Sequence, residues 1–507
     1  MSLNSVLGTA RSALTAQQVV ISTVGNNIAN AQTPGYSRQT VDLAASTPIE
    51  FTYGAVGSGV TVAGITRSRD QLLDTSVRQE TGSESAATES QSLLSSVQDV
   101  LGEPSDTGLA SAMDAFWSGW SDLAAQPASG AAKAVVVQRG AAAATMLNQF
   151  DSRLADLRTQ TTTALDNSLA GANTLAKQIA DLNGRIVSSE AGGQQANDLR
   201  DARDNAVDDL AKLGAVRTFT KADGSMQVTF GSYTLVDGID ARQLQRTTDA
   251  NGKVALAFAD QPNHALAPSG GSTQAMADFL NGGAQSVQDQ LDALANTLAA
   301  AVNQVVAQGH DASGASAGPF FVSKLDSTFT PTADPFATPP SAGTVTARTI
   351  SVNTSLVADA TALPTSSSVQ QPSNNDLALA LAGLRTASTS SVGGVTVSFT
   401  VPDRSRPATA TGGTTTPARA ASTGATTFAD FYNATVTGLG VQVKAATDDA
   451  QVHTTLAGQA RTRRQSVDGV NTDEELTNLM QAQQAYAAAA KIVSTVDDMM
   501  KTLVEMV

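Results

Sequence analysis

The segment LNSVLGTARSALTAQQVVISTVGNNIANA, residues 3–31, carries apolar side chains at Leu3, Leu7, Ala10, Leu14, Ile21, Val24 and Ile28. The spacings alternate between four and three, with Gln17 in the one polar slot. That is the seam of a coiled coil. Ser2 is placed to cap the start of this helix, and Pro34-Gly35 closes it. The chain ends on a second such segment, TDEELTNLMQAQQAYAAAAKIVSTVDDMMKTLVEMV, residues 472–507. Its stripe is Leu476, Leu479, Gln483, Tyr486, Ala490 and Val493, resumed after a one-residue slip at Val496, Met500, Leu503 and Val507. Thr472 and Glu475 have the spacing of a capping box.

Each terminal helix is roughly 40–55 Å long at about 1.5 Å per residue. Isolated helices of this length are marginal in water and gain stability by burying their stripe. Chain termini often lie close together, so the simplest solution pairs the two. A pair still leaves apolar surface over, which points to contact with other subunits. Two ordinary core helices of one globular domain would show the same periodicity, and spacing alone does not separate the two.

Prolines divide what lies between. Ten of the sixteen fall between Pro319 and Pro417, and none between residues 128 and 261, so the proline-free tract is where long helices are expected. Short strand-like pieces such as Gly59-Val60-Thr61-Val62 precede helical periodicity from Asp70 to Leu101. The period continues through Leu109, Met113, Phe116, Trp120 and Leu123, then through Leu147, Phe150, Leu154, Leu157, Leu165, Leu175, Ile179, Leu182 and Ile186, and again over Asn197 to Leu213. These segments predict an antiparallel helical bundle or long coiled hairpin. At Ala215 the period becomes two. Val216–Thr220, Met226–Phe230, Tyr233–Val236 and Lys253–Ala259 read as strands, with Asp223-Gly224 and Asn251-Gly252 as hairpin turns. Helix resumes from Thr273 to Gln308. From Asp311 to Thr427 the chain is rich in Ser, Thr, Gly and Pro, with strand candidates at Val345–Asn353 and Val392–Val401 and a biased loop at Ala408–Thr427. Phe428 to Arg464 is helical again.

The expected fold is therefore mainly α with β insertions. A terminal paired α-helical coiled coil comprises residues 1–40 and 466–507, and a helical body residues 41–214, 270–315 and 428–465. A small β insertion at 215–269 and a Pro/Thr/Ser-rich β outer domain at 316–427 complete it.

Composition narrows the function classes. Aromatic residues are only 4% of the chain, so its core is aliphatic and alanine-rich. A formal charge of −15 disfavours nucleic acid and anionic lipid. No cysteine excludes disulfides, thiolate metal sites and a cysteine nucleophile. No apolar run approaches the ~20 residues of a membrane span, and Met1-Ser2-Leu3-Asn4-Ser5 lacks the marks of a signal peptide. If the protein leaves the cell, another route is expected. His264, His310 and His453 are scattered and read as solvated. Asp198, Asp201, Asp204, Asp208 and Asp209, alternating with Arg200 and Arg203, read as a solvated helix face laced with salt bridges. Gly192-Gly193 and Gly270-Gly271 lack the surroundings of a phosphate loop, and no Gly-x-Ser-x-Gly elbow occurs. No catalytic residue, metal site or cofactor is expected: the chain reads as an assembly protein rather than an enzyme.

The run Gly25-Asn26-Asn27-Ile28-Ala29-Asn30-Ala31-Gln32-Thr33-Pro34-Gly35-Tyr36-Ser37-Arg38-Gln39 resembles the signature of the flagellar axial proteins, the rod, hook and hook-associated families. Val470-Asn471-Thr472-Asp473-Glu474-Glu475-Leu476 and Gln483-Gln484-Ala485-Tyr486-Ala487-Ala488-Ala489-Ala490-Lys491 resemble the matching carboxy-terminal helix. Tyr36-Ser37-Arg38-Gln39, Ile65-Thr66-Arg67-Ser68-Arg69-Asp70-Gln71-Leu72-Leu73 and the helical body resemble the hook-associated family of the hook–filament junction. The likeness covers roughly 1–215, 270–315 and 430–507 and fails over the two β insertions. Gln32 stands where Asn is commoner, and Thr472 where Leu is.

This resemblance implies an adaptor ring with one subunit per protofilament, an inner tube of terminal helices and export by the flagellar type III apparatus. Implied partners are the chain itself, the hook protein, the second hook–filament junction protein and a cytoplasmic export chaperone on the carboxy-terminal helix, with neither nucleic acid nor membrane. The residues expected at the assembly interface are Leu3, Leu7, Leu14, Ile21, Val24, Asn26, Asn27, Ile28 and Asn30 on the first helix. On the last they are Leu476, Leu479, Gln483, Tyr486, Val493, Val496, Met500 and Leu503, with Pro34, Gly35 and Tyr36 as the exit turn. A hook or distal-rod protein shares both terminal motifs but lacks the long body between residues 70 and 310. An enzyme carried in a variable insertion would need a constellation between residues 311 and 427 that is not visible. A ligand-binding role for the β insertions stays open.

Overall fold

The computed structural model describes residues 3–51, 54–103, 105–310, 314–325, 327–329, 344–369, 371, 373–386, 389–392, 395–398 and 427–505. Helix α1 (Leu3–Asn30) leads into strands β1 (Gln39–Ala45), β2 (Ile49–Phe51), β3 (Gly54–Val56) and β4 (Val60–Arg67). Four helices follow: α2 (Gln71–Leu101), α3 (Leu109–Ala125), α4 (Gly130–Glu190) and α5 (Asn197–Leu213). Then come β5 (Val216–Thr220), β6 (Met226–Phe230), β7 (Tyr233–Asp237), β8 (Asp240–Ala241), β9 (Leu244–Thr248), β10 (Val254–Phe258) and β11 (Gln261–Leu266). Helix α6 (Gly271–Asp278) passes through a π turn at Phe279–Gly283 into α7 (Ala284–Val306). Beyond it lie β12 (Phe321–Ser323), β13 (Ile350–Val352), α8 (Thr354–Ala358), α9 (Asp376–Gly383), β14 (Thr389–Val392) and β15 (Val395–Ser398), and the chain closes with α10 (Phe428–Asp468) and α11 (Thr472–Glu505).

The fold is mainly α with small antiparallel β elements. It divides into two compact units, one of residues 1–87, 166–275 and 450–507, the other of residues 88–165 and 276–449. In the first unit, β1 and β4 form a long antiparallel ladder whose register shifts at a bulge between Asp42 and Leu43, and α1 lies against both strands. Val60 N donates to Ser12 Oγ at this contact. Strands β5-β6-β7-β8 make one four-stranded sheet and β11-β10-β9 a three-stranded one. Both expected turn glycines adopt positive φ, +85° at Gly224 and +76° at Gly252, which L side chains resist. Strands β8, β9 and β11 add to the four expected in this insertion; β11 contains Pro262 and sits at a sheet edge, where a missing donor is tolerated. The core of this unit joins Leu169, Ile179 and Ile186 of α4 to Val207 and Leu210 of α5 and to Val228, Phe230 and Phe258 of the strands, all buried.

The second unit holds most of the aromatic residues. Phe116 contacts Trp117, Trp120, Phe320 and Phe321 with ring centroids 4.9–6.2 Å apart, and Trp117 stacks on Phe428 at 5.7 Å. Buried Asn303 on α7 bonds both the amide of Phe320 and, through its Nδ2, the carbonyl of Phe321.

Three expectations about local structure are corrected here. The single helix expected from Thr273 to Gln308 is broken by the π turn at Phe279-Leu280-Asn281-Gly282-Gly283, where two poor helix formers adjoin. Of the strand expected over Val345–Asn353, only Ile350–Val352 pairs, because Thr346 and Thr349 close a turn on each other's hydroxyls just before it. Among the described residues of 316–427 there is also a buried helix, α9, whose eight residues carry Leu377, Ala378, Ala380 and Leu381 into the core. The second expected strand, Val392–Val401, is divided between β14 and β15, which pair antiparallel; its residues 393–394 and 399–401 and residues 408–426 of the expected loop lie outside the described residues, as does Ser2, the expected cap of α1.

Candidate assembly surface

Helices α1 and α11 pair in antiparallel fashion within the first unit. At one end the Asn27 side chain donates to Glu475 Oε2 at 3.0 Å. Further along, Gln18 Nε2 donates to the Tyr486 hydroxyl at 3.4 Å. On α1 the buried apolar positions are Ala10, Ala16 and Val24, with Leu14, Ile21 and Ile28 half-buried. On α11 the inward positions run Glu475, Leu479, Ala482, Tyr486, Ala489, Val493 and Val496. These steps alternate four and three without interruption, so the slip after Val493 disappears. The seam is offset by one residue from the stripe expected near its start: Glu475 and Ala482 face inward, whereas Leu476 and Gln483 face solvent. Alanine at alternate seam positions lets two helices approach closely, which an eye for large apolar residues passes over. The side chains of Leu3 and Leu503 are outside the described set.

Glu475 departs from the expected capping box. Asn471 caps α11 instead, its Oδ1 accepting from the amides of Asp473 and Glu474. Glu475 is buried, accepting from Asn27 and, at 2.8 Å, from Arg38 Nε. Asn27, fully buried, is the hub. Its Nδ2 also donates to Gln39 O, while its Oδ1 accepts from Gln39 N and from the Tyr36 hydroxyl at 2.8 Å. All the hydrogen-bonding capacity that matters in a dry site is thereby used. Neighbouring Asn26 and Asn30 close the helix end: Asn30 Nδ2 donates to Asn26 O and Oδ1, and Thr33 N to Asn30 O. Pro34 is exposed. Gly35 adopts a φ of +77°, and a Cβ there would collide with the Asn205 side-chain amide. The Tyr36 hydroxyl is pushed up to about 12 by burial and then by Asp198, Asp201 and Glu475.

Beneath the exit turn lies an ion-pair network that corrects the solvated face expected for α5. Asp201, Asp204 and Arg203 are buried and Asp208 is half-buried; Asp198 and Asp209, at the two ends of that run, are exposed. Asp201 accepts from Ser37 N and Oγ and from Arg67 at 2.5 Å. Asp204 meets Arg67 at 3.0 Å, Arg69 at 3.5 Å and Arg78 at 3.7 Å. Asp208 meets Arg78 at 2.7 Å and Arg464 at 2.6 Å, and Arg69 is doubly bonded to Asp74. Burial alone would raise the Asp204 carboxyl, yet Arg69, Arg67 and Arg78 hold it below its ordinary value. The charges come from α2, α5, α10 and the end of β4. The network therefore ties the exit turn to three helices of this unit. The partners were legible as residues, in Arg67, Arg69 and Arg78, but not as pairs, because nothing local in the sequence matches them to α5. Of the histidines expected to be solvated, His264 is exposed, whereas His310 and His453 are half-buried, His453 with Nδ1 3.8 Å from Glu80.

Several large apolar side chains of the helix pair remain exposed. Leu7 is 39% exposed, and on α11 Leu476, Met480, Ile492, Met499, Met500 and Val504 are 43–73% exposed. Among the described residues no group of acidic and histidine side chains is arranged to hold a metal, and no helix is long and apolar enough to cross a membrane.

Three family descriptions match the chain. They are the flagellar hook-associated protein FlgK helical domain over residues 94–321, the flagella basal body rod protein over residues 7–36, and the flagellar basal body rod FlgEFG protein C-terminal over residues 466–506. The flagellar hook-associated protein 1 of Bacillus subtilis (strain 168) is 27% identical over 534 residues, covering 98% of this chain and 97% of that protein. The protein of the same name from Salmonella typhimurium is 30% identical over 334 residues, which is 63% of this chain and 59% of its own length. In fold the chain is similar to the flagellar hook junction protein FlgK from Burkholderia pseudomallei, with a TM-score of 0.60, 17% identity, and coverage of 78% of this chain and 100% of that one. With rod-type motifs at both ends, the hook-associated helical domain between them and a relative matched from end to end, the chain is similar over nearly its whole length to flagellar hook-associated protein 1, a structural protein of the flagellum and not an enzyme.

Proposed function

We propose that the chain forms the adaptor ring at the hook–filament junction, one subunit per protofilament, and that filament assembly requires it. Residues 1–40 and 466–507 form the inner tube in this reading, and the helical body and β elements lie outside it. The observation that carries the proposal is the apolar surface left exposed on α11. The inner seam of that helix is already filled by α1, yet Leu476, Met480, Ile492, Met499 and Met500 stay open to water. Large apolar side chains left exposed on a helix that already has a partner mark a surface awaiting another one. Copies of this chain, the hook protein and the second junction protein are the partners proposed for it, with a cytoplasmic chaperone covering the carboxy-terminal helix before type III export to the extracellular flagellum. A hook or distal-rod subunit would share the motifs at 7–36 and 466–506; the helical-domain match at 94–321 favours the junction reading.

The test is a double substitution of two exposed residues, Met480→Asp with Ile492→Asp. Neither side chain is needed for the seam, so the purified chain should keep its helical circular dichroism. Cells carrying it should show hooks without filaments in electron micrographs. Normal filaments on such cells would overturn the proposal.

A further inference from the structure

The chain has no cysteine and nine methionines. Both tryptophans are almost fully buried, Trp117 at 2% and Trp120 at 0% exposure. Methionine sulfur is therefore the group that a two-electron oxidant such as hydrogen peroxide attacks first. The methionines are sorted by their place in the fold. Met113, Met226 and Met276 are 4%, 5% and 6% exposed, and Met146 on α4 is half-buried. Met480, Met499 and Met500 are 56%, 52% and 43% exposed. Every exposed methionine among the described residues thus lies on α11; Met1 and Met506 are outside that set.

We propose that Met480, Met499 and Met500 are an oxidation site, at which peroxide turns the docking surface of α11 into one that no longer assembles. The inference rests on the assembly reading above. A sulfur lone pair attacks one peroxide oxygen; the S–O bond forms as the O–O bond breaks, and water departs. Sulfur loses two electrons and the peroxide gains them. The thioether, an apolar and adaptable contact, becomes a sulfoxide with a strong acceptor oxygen. On side chains that already face water this oxygen is solvated, so the free chain keeps its fold. Under an apolar partner it finds no donor, and docking is weakened. Leu476, Ile492 and Val504 share the exposure but are inert to the same oxidant.

Peroxide treatment of the folded full chain, followed by peptide mass mapping, tests the first half. Sulfoxide should form at Met480, Met499 and Met500 at least tenfold faster than at Met113, Met226 and Met276, with helical circular dichroism unchanged. Cosedimentation with hooks isolated from cells that lack the chain then reads docking. The oxidised chain should bind at least tenfold more weakly than the untreated one, and the two stereospecific methionine sulfoxide reductases, supplied with a dithiol, should restore it. Met480→Gln with Met499→Gln and Met500→Gln puts polar side chains of similar length at the same places, and should reproduce the loss without oxidant. Equal oxidation of buried and exposed methionines, undiminished docking of the oxidised chain, or undiminished docking of the glutamine variant would each overturn the proposal. Its failure is separable from that of the assembly reading. Hooks that bind Met480→Asp with Ile492→Asp as tightly as the unaltered chain sink both; hooks that reject that variant but hold the oxidised chain sink only this one.

Discussion

Asn27 and Glu475, 448 residues apart in sequence, share a 3.0 Å hydrogen bond in a site where both are almost completely buried. The bond joins the last turn of α1 to the first turn of α11. Through Arg38, Tyr36 and Gln39 it also fixes the path of the chain between them. The asparagine amide can both donate and accept, which no apolar residue and neither acid could do here.

Asn27→Ala should therefore cost more than a surface substitution on a helix. It strands Glu475 with one donor fewer and leaves Gln39 N and the Tyr36 hydroxyl without their acceptor. Each buried orphan costs about 1–3 kcal/mol. A total loss of roughly 2–4 kcal/mol is expected in urea unfolding of the unit holding residues 1–87. Asn27→Asp should be at least as harmful, since it sets a carboxylate against Glu475. A loss below about 0.5 kcal/mol for both, the range of ordinary surface changes, would show that the hub carries no stability.

Gly35 makes a sharper test of the same region. Gly35→Ala meets two separate obstacles, the +77° φ and the Asn205 amide. Asn205→Ala removes the second only. The double variant should regain part of the stability lost by Gly35→Ala, keeping a residual loss of about 1 kcal/mol for the left-handed backbone. Strict additivity of the two single losses would mean that the close approach is not real.

In the second unit, Asp292 accepts from Ala347 N at 2.8 Å. Burial pushes its carboxyl up to about 7, with Asp151 and Asp289 adding to the rise. A carboxyl that binds its proton more tightly when folded contributes stability below its unfolded value of 3.8, and that contribution is lost as pH rises through about 7. Asp292→Asn keeps the acceptor and removes the charge. It should stabilise the protein at pH 8, by up to roughly 4 kcal/mol since a tenfold change in proton affinity is worth about 1.4 kcal/mol, and should do little at pH 4. Unfolding midpoints at the two pH values decide it; equal effects at both would sink the assignment.

Much of this architecture is legible in residue order. The two terminal stripes, the strand pairs around Asp223-Gly224 and Asn251-Gly252, and the helical body follow from period and turn chemistry, which are local. The Arg–Asp network is not local. Asp201, Asp204 and Asp208 lie on one face of α5 and look like any solvated acidic stripe until Arg67, Arg69, Arg78 and Arg464 arrive from other elements. The seam of α11 failed for a different reason: Ala482 and Ala489 pack as well as leucine where helices come close, while Leu476 and Met480, the more conspicuous apolar residues, are left outside. Hydrophobicity marks which residues need cover, and not whether the cover comes from the same chain.

The helix pair should not be uniformly stable in the free protein. At its Glu475 end it is bonded to the exit turn, and through Arg38, Ser37 and Asp201 to the buried network. At its other end only Ala10 and Val496 are buried among the described residues, and large side chains such as Leu7, Met499 and Met500 are exposed. Helices held by so small a seam fray, because ordering a residue costs about 1–2 kcal/mol of backbone entropy that burial must offset. Amide exchange on the dilute chain should show protection falling along α1 from Asn27 towards Leu7, and along α11 from Leu479 towards Val504. In assembled junctions the exposed apolar side chains gain neighbours, and the gradient should flatten. Uniformly strong protection of both helices in the isolated chain would mean that the exposed apolar surface needs no partner, and would count against the assembly reading itself.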